Sequence, residues 1–254
     1  MKRHTRRFPV FGMTMATLTL AATAPAAWAV KFPEAELFFE LNDTEGDLGI
    51  HSSVDGPAWE ELTITDPKKR TILSLRPEGR LRRQGLTQLF IESAEPTFAE
   101  LAPEKFFRRF PEGAYVVRAR TLDGGQLRST MRPSHVMPAR PGNINVNGVP
   151  SADCNVTPFP TVSAPVLVDW DAVTTSHPQI GESGPVEIVR YQFFVGDQQD
   201  ITDFDVSINL PPSETQFQIP AAILALATNF KYEIIARTAS GNNTAVEACF
   251  TLVR

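Results

Sequence analysis

The feature that most constrains this chain is a series of short alternating runs between Pro165 and Leu252. V-L-V-D-W-D, V-E-I-V-R-Y-Q-F-F-V, F-D-V-S-I-N-L, T-Q-F-Q-I, N-F-K-Y-E-I-I-A-R-T and A-V-E-A-C-F-T-L each alternate apolar and polar residues, and Pro, Gly, Asn or Asp bounds each run. Period two sends successive side chains to opposite faces of a strand, and short strands at regular spacing predict an antiparallel β-sandwich. Such a pattern fixes architecture closely and chemistry hardly at all.

Val166, Val168 and Trp170 share one face of their strand, and an aromatic there buries on the order of 200 Å² between packed sheets. Tyr232 can bury its ring and still reach a backbone acceptor through its hydroxyl. These residues resemble a fibronectin type III domain. Trp170 stands at that family's strand-B tryptophan and Tyr191 at its strand-C tyrosine. Leu226 and Tyr232, six apart, match its L-x-P-G-T-x-Y corner, although Thr228, Asn229 and Phe230 replace Pro, Gly and Thr. Ile234, Ala236 and Thr238 continue the inward alternation, and Gly241 falls in the F–G turn. The resemblance covers residues 139–254 and implies a scaffold, not an activity.

Residues 1–29 read as a signal peptide. Lys2, Arg3, Arg6 and Arg7 form a basic start, Val10 to Ala24 is apolar, and Ala27-Trp28-Ala29 supplies a small-x-small cleavage site. Pro25 and the small residues exclude a membrane span, which needs about 20 apolar residues. Thr5-Arg6-Arg7-Phe8 is similar to a twin-arginine signal, but Pro9 departs from it and the general route is favoured. The product is expected in the periplasm or outside the cell. All 29 acidic residues follow residue 29 while four of the 24 basic ones precede it, so the mature chain carries −9. That balance excludes nucleic acid as the expected partner.

The first mature unit, 30–138, again reads as strands: Leu37–Leu41, Leu48–His51, Trp59–Thr65, Thr71–Leu75, Leu86–Glu92, Ala114–Leu122 and Gln126–Arg132, with a bend at Asp55-Gly56. A short helix is predicted near 103–110, with Pro103 in its first turn and Phe106, Phe107 and Phe110 on one face. Pro111-Glu112-Gly113-x-Tyr115 followed by T-x-D-G resembles the close of an immunoglobulin-like sandwich. The whole is thus all-β, two β-sandwich domains in tandem, joined at Met137 to Gly142.

Chemistry is sparse. G-x-S-x-G, H-E-x-x-H, C-x-x-C, the P-loop and G-x-G-x-x-G are absent, and His51, His135 and His177 lie in separate elements. Glu92 and Glu95 are too close in sequence to specify a glycosidase pair. Arg76, Arg80, Arg82 and Arg83 read as charges on a solvated strand edge, or else as a contact for an anionic glycan or phosphate. Asp43, Glu45 and Asp47 alternate in an acidic turn, as calcium ligands do. Leu48 and Val54 occupy the positions where an EF-hand loop needs Gly and Glu, so the turn is either an ordinary polar hairpin or a calcium site of about 10⁻⁴ to 10⁻³ M. No other cofactor is expected.

The two cysteines, Cys154 and Cys249, are expected to pair once the chain leaves the reducing cytoplasm. If the first strand of the second unit lies near Ile144 to Val149, Cys154 comes to the pole where the last strand ends; if it begins after Cys154, the thiols are too far apart. The functional expectation is an exported, non-catalytic binding, adhesion or envelope-associated protein with a protein or glycan partner. The alternative is an accessory or catalytic component acting on an extracellular polymer.

Overall fold

The computed structural model describes residues 29–199 and 201–253. All of the expected signal peptide except Ala29 lies outside them. No described helix is long and apolar enough to cross a membrane.

The first strands are β1 (Glu34–Asn42), β2 (Asp47–Thr65) and β3 (Thr71–Leu75), followed by α1 (Gly79–Gln84), β4 (Leu86–Glu92), α2 (Pro103–Arg109), β5 (Tyr115–Thr121) and β6 (Gln126–Met131). β1 and β2 form a hairpin, with Phe39 opposite Ile50 and Leu41 opposite Leu48. β2 continues as one strand through Asp55-Gly56, where the sequence predicted a bend. The irregularity is absorbed as a register shift between Asp55 and Trp59. Gly56 packs closely there: a Cβ would come within 3.1 Å of the Phe32 side chain and 3.4 Å of the Leu127 side chain. Beyond the shift β2 changes partners, from β1 and β4 to β3 and β5, and β5 hairpins onto β6. Trp59, Leu62, Ile64, Val117 and Leu127 thereby meet Phe39, Leu41 and Leu48 in one core.

Two local readings need correction. Arg80, Arg82 and Arg83 lie on α1, not on a strand edge: straight-chain residues there favour a helix, and Gly79 and Gly85 at positive φ bound it. The tyrosine corner falls at Tyr115, whose hydroxyl donates to the Pro111 carbonyl at 2.9 Å. Tyr232 is buried, but its hydroxyl reaches no backbone acceptor, and Leu226 is exposed while Leu224 fills the core. The helical turn Ala221–Leu224 before Tyr232 rotates Leu226 outward, because Pro220 starts it in place of the family's loop. α2 is as predicted, with Phe106 and Phe107 buried beneath it.

The chain continues through β7 (Val136–Pro138), β8 (Gly142–Val146), β9 (Val149–Pro150), β10 (Thr161–Ser163), β11 (Val166–Asp171), β12 (Ser176–Gly181), β13 (Ile188–Asp197), β14 (Asp205–Leu210), β15 (Gln216–Ile219), α3 (Ala221–Leu224), β16 (Asn229–Thr238) and β17 (Asn243–Val253). β15-β11-β8-β9 make one layer and β14-β13-β16-β17 the other. In fibronectin type III terms these are strands E-B-A facing C′-C-F-G. Trp170 from one layer meets Tyr191 and Phe193 from the other at ring distances of 5.5 and 6.3 Å. Cys154 and Cys249 form a disulfide with Cα atoms 5.0 Å apart, and β8 at Gly142–Val146 places Cys154 where that bond requires it.

The two cores are not separated by a free linker. β1 pairs parallel with β17, Glu40 opposite Asn243 and Asn42 opposite Ala245, so the path β14-β13-β16-β17-β1-β2-β5-β6 runs through both. β7 pairs with β12, and Ile180 of β12 packs into the first core beside Met137.

Candidate functional site

The junction is made by the turn G-N-N-T between β16 and β17. Asn242 is fully buried; its side-chain oxygen accepts from Phe39 N–H at 3.0 Å, and its amide donates to the carbonyls of Ser134 and Val136 at 2.6 and 3.1 Å. Thr244 Oγ1 donates to the Pro138 carbonyl at 2.8 Å, and Asn243 donates to Glu40 at 2.6 Å. Asn242 and Thr244 thus satisfy backbone that the junction would otherwise bury unpaired, and Asn243 between them ties down the Glu40 carboxylate.

The acidic turn belongs to this junction. Asn42 Oδ1 accepts from the N–H groups of Thr44 and Glu45, and Gly46 at φ 69° lets the chain return to β2. Asp43 points to the second unit, where His177 Nε2 lies 2.9 Å and Arg140 Nη1 2.8 Å from its oxygens. His177 Nδ1 accepts from the N–H of Ile180 at 2.9 Å, so the proton sits on Nε2 and is donated to Asp43. The His177 hydrogen bond and the Arg140 charge hold the Asp43 carboxyl below its ordinary range. Glu45 lies at the turn's tip. Asp47 Oδ1 is buried without a partner, and burial with the charges of Glu95, Glu45 and Glu247 raises its carboxyl to about 6. Among the described residues no three carboxylate, histidine or cysteine side chains are grouped to hold a metal, and Asp43, Glu45 and Asp47 are not brought together.

Beside Asp47 the outward face of the continuous sheet carries a carboxylate group. Strand register sets Glu233 of β16 directly opposite Glu247 of β17. Glu247 is held by Lys231 Nζ at 2.6 Å and Asn42 Nδ2 at 3.1 Å. Glu233 has neither, and burial together with Glu40 and Glu247 raises its carboxyl to about 8. Nearby, His51 Nε2 lies 2.9 Å from Glu95; despite its burial, that bond and the charge of Glu40 hold the imidazole's pKa above the ordinary value. On the same face the Arg237 guanidinium lies 4.4 Å over the Phe38 ring and pairs with Glu36. A protonated Glu233 can donate a hydrogen bond at neutral pH, but it lies on a sheet face. A separate cavity of about 410 Å³ opens where α2 meets β12, lined by Phe107, Pro111, His135 and Glu182.

Sequence reasoning singled out Asp43, Glu45 and Asp47 but missed Asn242, His177, Glu233 and Glu247. Only the polar density of G-N-N-T in an apolar setting could have pointed to Asn242. The opposition of Glu233 and Glu247 is invisible without register.

The strand order defines the class: the second unit has a fibronectin type III-like fold, within an all-β chain. No protein-family model and no curated protein matches the chain. Among solved structures it is similar to the chicken CNTN1 FN1–FN3 domains, at TM-score 0.31 and 11% identity over 90% of this chain and 67% of that one. It is also similar to a tetra-tandem repeat from the extending region of a large adhesion protein, at 0.28 and 13% over 87% and 50%. A 1.5-MDa bacterial ice-binding adhesin gives 0.25 and 13% over 88% and 65%. Strand order and core packing carry the likeness to the fibronectin type III fold.

Proposed function

We propose that this protein is exported to the periplasm or beyond as a non-catalytic binding protein, of adhesion or envelope-associated type. Its two units, 30–138 and 139–254, act as one rigid platform whose sheet faces and loops contact a protein or glycan. The observation that carries this reading is the parallel pairing of β1 with β17, backed by buried Asn242. A sheet running through both units presents an extended surface of fixed shape, which lowers the ordering cost of binding. The test uses labelled mature protein beginning at Val30, incubated with envelope fractions of the producing cells. Saturable, competable retention supports the reading; retention no greater than that of an unrelated acidic β-protein overturns it.

A second reading, action on an extracellular polymer, is favoured by the raised Glu233 carboxyl beside Glu40 and Glu247. Release of reducing ends from a polysaccharide by the parent, lost in Glu233→Gln, would establish it in place of the first.

A further inference from the structure

The outward side of β3-β2-β5-β6 carries charge of the opposite sign to the protein as a whole. Register fixes one row across it: Ser74 opposite Thr63, Thr63 opposite Arg118, and Arg118 opposite Arg128. Like charges directly opposite each other destabilise a strand pair. Here no neighbour relieves them. The nearest acids are engaged elsewhere, Glu60 with Arg82 and Arg120 and Glu61 with Arg120, and among the described residues neither Arg118 nor Arg128 has an ion pair. Both are exposed. Next to them lies a depression of about 250 Å³ lined by Thr63, Arg118, Arg120 and Gln126 along with Glu61.

We propose that this face binds an anionic polysaccharide. A carboxylate or sulfate of the chain sits between Arg118 and Arg128, where guanidinium forks match its oxygens. Thr63, Ser74 and Gln126 meet sugar hydroxyls. Four strands about 4.8 Å apart make the row roughly 14 Å long, which suits an oligomer rather than a single ion. Nucleic acid fits less well. Its phosphates are dense, Glu60 and Glu61 adjoin the row, and its outward residues include no aromatic on which bases could stack. This inference rests on the binding reading above and supplies its ligand class and site.

The experiment measures binding of the mature protein to heparin oligosaccharide, polygalacturonate oligomers, neutral dextran and single-stranded DNA. The sulfated and carboxylated probes separate the two anion chemistries. The parent is expected to bind at least one of them, less tightly as salt rises, with no binding to dextran. Arg118→Gln with Arg128→Gln should lower that affinity at least tenfold, while Arg108→Gln with Arg109→Gln, the same charge change on α2, leaves it unchanged. The Arg118/Arg128 double variant should also melt higher than the parent without ligand, and ligand should raise only the parent's Tm, which guards against misfolding. No binding to either anionic probe, equal loss in both double variants, or preference for DNA overturns the proposal. If the Arg118/Arg128 variant still binds envelope fractions as the parent does, this site fails while the binding function stands; if the parent itself is not retained there, both fail.

Discussion

The side-chain oxygen of Asn242 accepts a hydrogen bond from the backbone N–H of Phe39, 203 residues earlier, at 3.0 Å. β17 and β1 begin their parallel pairing immediately beside that bond. The same amide holds Ser134 and Val136, so one side chain ties both units and the segment between them.

Asn242→Ala should therefore leave a buried N–H and two carbonyls unpaired, at about 1–3 kcal/mol for such a group. The expected outcome is a loss of roughly 3 kcal/mol in urea denaturation and a single transition that separates into two. An unchanged midpoint would show that the β1–β17 pairing holds the junction without it.

Trp170 is nearly fully buried against Tyr191 and Phe193. Trp170→Ala should cost about 3–5 kcal/mol. An unchanged Tm with altered binding would place Trp170 in a site instead of the core.

Reduction of Cys154–Cys249 opens a loop closed over a sequence separation of 95. Chain entropy predicts a loss of up to about 4–5 kcal/mol. Denaturation with and without reductant checks it, and two thiols that label under denaturing, non-reducing conditions would refute the bond.

Glu233 and Asp47 have carboxyls raised to about 8 and about 6. A carboxyl raised on folding favours the native state while protonated, so its contribution is fully present below the unfolded carboxylate pKa of about 4 and lost as pH rises through the folded value. Stability should fall from about pH 4, the unfolded value, to about pH 8, the higher of the two folded values. Glu233→Gln should raise Tm at the upper end, leave it unchanged at the lower end, and flatten the profile between. Parallel profiles for parent and variant would overturn this.

Asp43 behaves oppositely, since its carboxyl is lowered by His177 and Arg140. Its stabilisation is present above the unfolded carboxylate pKa and lost as pH falls through the lower, folded value. Asp43→Asn should lower Tm at neutral pH equally with and without millimolar calcium. A calcium-dependent rise in the parent that vanishes in Asp43→Asn and Asp47→Asn would make the turn a calcium site.

The sequence by itself determined β11, β13, β14, β15, β16 and β17, the core role of Trp170, and the short helix under Pro103, but not β10 or β12. Alternation and turn residues are local, and burial of one strand face follows from them directly. It marked Cys154 and Cys249 as a pair conditionally, because only the position of β8 decides whether the thiols meet. Tertiary structure decided the rest. Asp55-Gly56 looks like a bend, yet β2 passes through it as one strand because the irregularity is taken up as a register shift between Asp55 and Trp59. Leu226 matches a family position, yet Leu224 fills the core because a helical turn shifts the spacing. The parallel pairing of β1 with β17 leaves no trace in either segment, since register between distant strands depends on which faces are buried when they meet. The oppositions of Glu233 with Glu247 and Arg118 with Arg128 arise in the same way. Alternation shows that such a residue faces outward; only the fold sets which charge stands across from it.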